Sequence, residues 1–316
     1  MAAYRLLLGR APDPDGMRTF GALVGRSSLP SLAGALLASE EFRATPMHAA
    51  LVRREHEDLR EVDVGDGLRL LVSPHDLSNR GLLESGVYEP HVAASLDALL
   101  SKGSTMCAVG ANVGYHVVRA AHRVGTTGRV IAFEANPDNA RLVARSVARN
   151  GLANVTILPL AVADGPQLVR YVAAQGTNGA VAPVHADAGH GGASEATQLV
   201  QAVALDEMLS LLGRVNVLQM DVEGAEGLVL RGARELLAAS RPTIFAELSL
   251  GQLERTSRMT GEDMLGMLRD LGYAISVLRF DGGVESFGRD VEGVCAFARA
   301  QPSPHVDLRC DPGPPQ

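Results

Sequence analysis

From about residue 60 onward, short apolar runs alternate with longer stretches in which apolar residues recur every three or four positions. The short runs have the length of buried strands, and the longer stretches have the period of amphipathic helices. This alternation predicts an α/β fold with a mostly parallel sheet and helices on both faces. After a hairpin over 62–72, the predicted strands are 105–109, 129–133, 155–158, 168–172, 215–220 and 243–247.

The predicted helices follow the same pattern up to about residue 271. They cover about 92–100, 113–124, 137–150, 205–212, 225–239 and a segment that begins at Thr260. Beyond them, 273–280 and 291–299 are expected to form an antiparallel pair of strands. The Gly-, Ala- and His-rich stretch 182–196 is interpreted as a mobile loop, and the proline-rich stretch 301–316 as a disordered tail.

These patterns divide the chain into a helical module over 1–60, a sheet domain over 61–300 and the tail. Residues 4–16 and 36–42 resemble a small helical domain of uncharacterised function that is often joined to enzymes acting on glycans and other secreted polymers. Two roles remain open for this module, packing on the main domain or mediating a homodimer.

Composition narrows the classes of function. The formal net charge is −7 and no basic stripe is present, which argues against nucleic-acid or anionic-membrane binding. No apolar run is long enough to span a bilayer, and the N-terminus does not resemble a signal peptide. The three cysteines show no disulfide or zinc-binding spacing, so Cys107 and Cys295 are interpreted as buried structural thiols in a cytoplasmic protein.

A candidate nucleotide site lies where the strand 105–109 breaks into Gly110, Asn112 and Gly114. A tight turn between a strand and a helix lets the backbone approach a ligand closely, and Asn tolerates positive φ better than most residues. The next predicted strand ends in Glu134. Nucleotide-binding folds place a ribose-binding carboxylate one βαβ step beyond the glycines, as here.

Three more acidic residues, Asp221, Glu223 and Glu247, follow the ends of later predicted strands. Ligands of such sheets bind at this edge, so the three carboxylates are candidate site residues. A second interpretation of Asp221 and Glu223 is that they cap the helix after them and compensate its dipole.

Three segments are similar to the FkbM-type S-adenosylmethionine-dependent methyltransferases. They are Gly86-Val-Tyr-Glu-Pro90, Val109-Gly-Ala-Asn-Val-Gly-Tyr115 with Phe133-Glu-Ala-Asn-Pro137, and Asp221-Val-Glu-Gly-Ala-Glu226 with Glu247 beyond it. The resemblance covers about residues 78–299 and implies a class I methyltransferase-like (Rossmann-like) sheet of seven strands. It also implies methyl transfer, usually to a hydroxyl of a sugar or natural product.

The resemblance assigns cofactor contacts by position. The turn from Val109 through Gly110, Ala111 and Asn112 to Gly114 would face the methionine part of S-adenosylmethionine. Glu134, followed by Ala135, would hold the ribose. Ala161 and Val162 would lie near adenine, and Asp221 would complete the set.

Two positions depart from the family pattern. Ala108 stands where the family normally has an acid, and Gln219 where a basic residue is common. The missing acid leaves open a noncatalytic protein that binds the cofactor or a glycan. A nicotinamide-dependent dehydrogenase is a weaker alternative, because the Gly-x-Gly-x-x-Gly spacing is absent.

Methyl transfer to a hydroxyl requires a positioned acceptor and a group that takes its proton. Asp221 and Glu223 are the leading candidates for these roles, and Glu247 and Glu89 come second. His116 is interpreted as structural. Paired carboxylates also suit a divalent metal, but no metal is expected to be required.

Overall fold

A computed structural model describes residues 59–74, 76–173, 179–183 and 198–313. Residues 1–58 of the predicted helical module lie outside the described residues. The predicted mobile loop over 182–196 is wrong for residues 182 and 183, which end the strand Gly179–Pro183, and its remainder lies outside the described residues.

The strands are β1 Arg60–Asp63, β2 Arg69–Val72, β3 Thr105–Val109, β4 Arg129–Phe133, β5 Val155–Leu158, β6 Ala161–Val162, β7 Gln167–Ala173, β8 Gly179–Pro183, β9 Gln198–Val203, β10 Val217–Met220, β11 Thr243–Ser249, β12 Tyr273–Leu278, β13 Val284–Gly288 and β14 His305–Pro312. The α-helices are α1 Arg80–Ser85, α2 Pro90–Leu99, α3 Tyr115–Val124, α4 Pro137–Arg149, α5 Leu209–Leu212, α6 Glu226–Arg231, α7 Arg234–Ser240, α8 Leu250–Thr256, α9 Gly261–Asp270 and α10 Val291–Arg299. Short 3-10 helices cover Leu77–Asn79 and Leu205–Met208.

The main sheet of the described chain has the strand order β13-β12-β14-β11-β10-β3-β4-β5. Strands β5, β4, β3, β10 and β11 are parallel, and β14 runs antiparallel to both of its neighbours, β11 and β12. Without β13, this is the seven-stranded, mostly parallel sheet that the family resemblance implies. The predicted fold class is confirmed, and β13 adds an eighth strand at one edge.

Both faces of the sheet are covered, which explains why its central strands β3 and β10 are buried along their whole length. The β1–β2 hairpin and helices α2, α3 and α4 share one core with alternate residues of β3 and β4. Helix α9 contacts α6 and β12, and helix α10 contacts β13 and β14. The parallel strands therefore all end at one edge of this covered sheet.

The interpretation of 301–316 as a disordered tail is wrong for the segment His305–Pro312. This segment is β14, which lies between β11 and β12 and pairs with both. Its buried residues Val306, Leu308 and Cys310 occur at every second position, as in a strand within a sheet. The prolines that suggested disorder lie before, at the end of and after the strand.

The predicted pairing of 273–280 with 291–299 is also wrong. Val291–Arg299 is a helix, and the antiparallel partners of β12 are β13 and β14. The Asp290 side chain caps this helix by accepting a hydrogen bond from the Gly293 backbone N–H at 2.9 Å. A cap of this kind stabilises a helix start by about 1 kcal/mol.

A second sheet, in the order β6-β9-β7-β8, lies beside the ends of the parallel strands. Its inner residues, among them Tyr171 and Val181, share a core with Ala225 and contact Ala135 and Val222. The small sheet therefore forms one wall at the edge where the candidate site residues were predicted.

Candidate functional site

The glycine turn after β3 has the geometry that the sequence predicted. Gly110, Asn112 and Gly114 have φ values of +82°, +49° and +94°. A Cβ atom on Gly110 would lie 1.9 Å from the backbone carbonyl oxygen of Asp221, so only glycine fits where this turn meets the end of β10. The turn thus presents bare backbone at the sheet edge.

Glu134 holds the turn in place from the end of β4. Its Oε2 accepts a hydrogen bond from the backbone N–H of Asn112 at 2.6 Å, and its Oε1 accepts one from that of Asn136 at 2.7 Å. Burial raises the pKa of Glu134 to about 7, although the hydrogen bonds from Asn136, Asn112 and Asn139 oppose the shift. The carboxylate is pre-oriented and can accept further hydrogen bonds.

A cleft of about 590 Å³, counted with its open mouth, extends along the strand ends. Most predicted cofactor residues line it, together with the predicted catalytic Glu223: Val109, Gly110, Asn112, Glu134, Ala135, Ala161, Val162, Asp221 and Glu223. The others lie nearby. Ala111 lines an adjoining cavity, and Gly114 stands behind the turn, where an added Cβ would lie 3.1 Å from Val143.

Sequence reasoning missed several lining residues, which come from the strand ends, from helix α4 and from the small sheet: Phe133, Asn139, Leu160, Tyr171, Gly179, Val181 and Val222. Tyr171 is the most polar of the missed side chains on the small sheet. Burial, with the nearby charge of Glu134, raises the pKa of its phenol to about 12, and the hydroxyl accepts a hydrogen bond from Asn136 Nδ2 at 3.4 Å. Its position depends on how β7 packs, which local spacing does not encode.

Asp221, directly after β10, and Glu247, near the end of the neighbouring strand β11, come together. Their carboxyl groups share a hydrogen bond. The pKa of Asp221 is raised well above its ordinary value by burial and by the charges of Glu247, Glu89, Glu223 and Glu226. The pKa of Glu247 is raised by burial and by nearby acidic groups. Two carboxyls in such contact favour holding one proton between them.

Glu89 enters the same group of acids from the segment before α2. Its Oε2 lies 3.0 Å from His116 Nε2, and it also hydrogen-bonds Tyr88. Burial opposes ionisation of Glu89, but the hydrogen bond from His116 and the charges of His116 and His91 lower its pKa overall. His116 therefore has a defined partner at the site, which its position at a helix start did not reveal.

The helix-capping interpretation of Asp221 and Glu223 is wrong. Helix α6 has no side-chain cap at Ala225, and Glu226 accepts the hydrogen bond from the Val222 N–H, at 3.0 Å. Glu223 has a φ of +54° and accepts a hydrogen bond from Gln252 Nε2 at 2.5 Å. Asp221 and Glu223 are therefore carboxylates of the cleft.

A smaller cavity of about 350 Å³, counted with its opening to solvent, adjoins the cleft and shares Gly110, Asn112 and Asp221 with it. Its other lining residues come from β10, from α3 and from the segments before α1, α2 and α3: Asn79, Tyr88, Ala111, Val113, Tyr115, His116, Val117 and Gln219. The two departures from the family pattern meet beside this cavity, because Ala108 and Gln219 are direct partners across the parallel strands β3 and β10.

Within the described ranges, no group of three or more His, Cys, Asp or Glu side chains is arranged to hold a metal ion. No helix in the same ranges is long and apolar enough to cross a membrane.

Comparison with protein families gives one match, to the methyltransferase FkbM domain, over residues 108–275, which is more than half of the chain. The chain belongs to the FkbM methyltransferase family. Membership supports S-adenosylmethionine-dependent methyl transfer, and the matched range contains the glycine turn, Glu134, Asp221 and Glu247 of this FkbM domain.

Solved structures resemble the FkbM domain only distantly. The methyltransferase FkbM of Methylobacillus flagellatus is 14% identical, and the match covers 94% of this chain and 59% of that one, with a TM-score of 0.41. An S-adenosylmethionine-dependent O-methyltransferase of Thermotoga maritima is 13% identical, with coverages of 74% and 71% and a TM-score of 0.38. A fibrillarin of Aeropyrum pernix, with natively bound S-adenosyl-L-methionine, is 16% identical, with coverages of 69% and 73% and a TM-score of 0.39. No curated protein matches significantly.

Proposed function

We propose that this FkbM protein is an O-methyltransferase whose acceptor is a hydroxyl of a sugar, a glycan or a glycosylated natural product. The observation that carries the proposal is the pair Asp221–Glu247 at the strand ends beside the glycine turn. A carboxyl pair with raised pKa values is a stronger base than an ordinary carboxylate. It can therefore take up the proton that the alcohol must lose.

The cleft suits S-adenosylmethionine from one end to the other. Leu160, Ala161 and Val162 offer an apolar wall for adenine, and the carboxylate of Glu134 can accept hydrogen bonds from ribose hydroxyls. The absence of a side chain at Gly110 leaves the backbone of the turn open to the rest of the cofactor. When bound, S-adenosylmethionine supplies an electrophilic methyl group on its sulfonium sulfur.

The residues of the chain then act on the acceptor. The ionised member of the Asp221–Glu247 pair would accept the hydroxyl proton, while the acceptor oxygen would take the methyl group and the cofactor would leave as its neutral thioether, S-adenosylhomocysteine. Glu89 and Tyr88, in contact with each other, can orient a neighbouring hydroxyl. Holding the acceptor oxygen at attack distance supplies much of the rate of such an in-line displacement.

The charge of the site favours a neutral, polyhydroxylated acceptor. The charges of Glu89, Glu223, Glu226 and Glu247 all act on Asp221, whereas no described Lys or Arg lines either cavity. An anionic acceptor would be repelled, but sugar hydroxyls donate hydrogen bonds to carboxylates. A metal is not assigned to the site.

The test combines calorimetric titration with S-adenosylhomocysteine and a turnover assay on neutral glycosides and oligosaccharides. We expect binding, S-adenosylhomocysteine release and a methylated acceptor whose methyl group survives alkali, as an ether does and an ester does not. Glu247→Gln should lower kcat by about 10²- to 10⁴-fold. Its affinity for S-adenosylhomocysteine should stay within about threefold.

Glu254→Gln is the matched control, because it makes the same charge change on an exposed position of α8. This control should keep full turnover. Absence of binding would contradict the cofactor assignment. Binding without turnover on any acceptor would favour the noncatalytic alternative that Ala108 left open, and full turnover by Glu247→Gln would remove that residue from the mechanism.

A further inference from the structure

Gln219 is a buried polar residue in an apolar row of the sheet. It is 6% exposed, and its partners on the neighbouring strands are Ala108 of β3 and Phe245 of β11, with Ala132 of β4 one strand further. None of these three side chains can form a hydrogen bond. Among the described residues, no hydrogen-bond partner of the Gln219 carboxamide is found.

The carboxamide faces the smaller cavity, which Gln219 lines together with Tyr88, Tyr115 and His116. These rings pack closely, with centroids 6.0 Å apart for Tyr88–Tyr115 and 5.9 Å for Tyr88–His116. The Gln219 carboxamide is not one of the fully enclosed unpartnered atoms of the described residues, so it opens on the cavity that Gln219 lines. Polar groups of native proteins nearly all have a hydrogen-bond partner, and a ligand in this cavity would supply one for the carboxamide.

The order of the strands indicates which part of the cofactor arrives there, and this step rests on the proposed function. Leu160–Val162 follow β5, Glu134 follows β4, Gly110 follows β3 and Asp221 follows β10, and these four strands are neighbours in that order. With adenine at the first position and ribose at the second, the sulfur side of the cofactor passes the Gly110 turn. Its amino-acid end then reaches the cavity between β3 and β10.

We propose that Gln219 binds the amino-acid end of S-adenosylmethionine in this cavity. A carboxamide has both an acceptor oxygen and an NH₂ donor, so it can pair with an ammonium group and with a carboxylate. Because Ala108 and Ala132 are small, they leave the amide free to turn toward the cavity. Gln219 is thus the residue that distinguishes a cofactor bearing an amino-acid end from a nucleoside that lacks it.

The experiment compares two ligands on the full-length protein. S-Adenosylhomocysteine carries the amino-acid end, whereas 5′-methylthioadenosine has the same adenine, ribose and sulfur without it. Gln219→Met keeps the length of the side chain and removes its hydrogen bonds. We expect this variant to bind S-adenosylhomocysteine about tenfold more weakly, as for the loss of hydrogen bonds to charged groups. Its affinity for 5′-methylthioadenosine should change less than about twofold.

Two controls separate this role from a structural one. Glu134→Ala should weaken both ligands alike, because both contain the ribose. The melting temperature of ligand-free Gln219→Met should equal or exceed that of the parent, because the substitution removes a buried amide that has no described partner.

Equal weakening of both ligands by Gln219→Met, or no weakening of either, would overturn the inference. A lower melting temperature together with an equal loss of affinity for both ligands would show that Gln219 stabilises the fold and does not bind the cofactor. A parent protein that binds neither ligand would contradict the proposed function itself, and this outcome is distinct because the others start from a parent that binds both.

Discussion

At the scale of single residues, Glu134 links the glycine turn to the proposed ribose contact. We expect Glu134→Ala to weaken S-adenosylhomocysteine binding by about 10- to 100-fold, because hydrogen bonds to an ionised carboxylate contribute about 1.5–3 kcal/mol. Calorimetric titration measures this change. An unchanged affinity would show that the ribose binds elsewhere.

The raised pKa of Glu134 predicts a pH dependence of the same binding. With a pKa of about 7, this carboxyl is protonated in much of the ligand-free protein below neutrality. Ribose hydroxyls pair best with the ionised form, so the affinity for S-adenosylhomocysteine should rise from pH 6 to pH 8. Glu134→Gln should flatten the profile between these values. A profile that is the same in both proteins would assign the titration to another group.

Ala108 and Gln219 predict a coupled pair of substitutions. Ala108 is fully buried, so Ala108→Asp places a carboxylate beside Gln219, the polar one of its two register partners. We expect the single substitution to lower the free energy of unfolding by about 3–5 kcal/mol, as an unpaired buried charge does. Adding Gln219→Lys should recover more than half of this loss, as judged by denaturant unfolding. Additive losses would show that the two side chains do not meet.

At the residue scale, the sequence predicts placement best where it follows directly from position along a strand. The glycine turn, Glu134, Asp221 and Glu223 follow strand ends, Glu247 lies near the end of β11, and parallel strands bring their ends to one edge. The contacts that were missed depend on packing between distant segments. Tyr171 arrives on the small sheet, and His116 gains its partner only because the segment before α2 folds back over α3.

At the scale of elements, the errors have two physical causes. Val291–Arg299 is a short apolar run, whose buried residues at 291, 294, 295 and 298 have helical spacing but were interpreted as a strand. Asp290 before it was a usable cap signal. For β14, the prolines outweighed the alternation of Val306, Leu308 and Cys310, although proline is compatible with the ends of a strand.

Strand β14 gives a direct test at this scale. Leu308→Ala should lower the free energy of unfolding by about 2–5 kcal/mol, because Leu308 is 1% exposed within the sheet. The matched control is Arg309→Ala, which removes a partly exposed side chain paired with Asp311 and should cost about 1 kcal/mol or less. Denaturant unfolding compares the two. If neither substitution changed the free energy of unfolding, residues 305–312 would be a disordered tail and not a strand.

At the scale of the whole molecule, the buried carboxyl groups of the site make the fold less stable as pH rises. Burial raises the pKa values of Glu134 and Glu226 to about 7, and that of Glu247 is also raised. Between the unfolded value near 4.5 and the folded value, the native state therefore holds more protons than the unfolded state, and the free energy of unfolding falls with increasing pH.

We expect the melting temperature to fall from pH 5.5 to pH 8 for this reason. Each such carboxyl contributes at most about 1.4 kcal/mol per pH unit within its window. Glu226→Gln should reduce the slope, whereas Glu254→Gln on the surface should not. A melting temperature that rises over the same range would contradict the assignment.

Removal of residues 1–58 tests the predicted division of the chain. Every described residue that lines the cleft or the smaller cavity lies at position 79 or beyond. The affinity for S-adenosylhomocysteine should therefore stay within about threefold, or about 0.6 kcal/mol, while solubility, assembly or acceptor selection changes. A large loss of affinity in a shortened protein with an intact sheet would contradict this division.

The position of β14 also has a consequence for the nascent chain. The ribosome makes β11 first, then β12 and β13. Only afterwards does it make β14, the strand that lies between β11 and β12. Until residues 305–312 emerge, the β12–β13 hairpin has no bonded place in the sheet, and both β11 and β12 expose unpaired backbone edges. Exposed edges of this kind are open to pairing with other chains. Translation that stalls shortly before residue 305 would therefore leave an intermediate prone to aggregation, with the glycine turn, Glu134 and the carboxylate pair already synthesised.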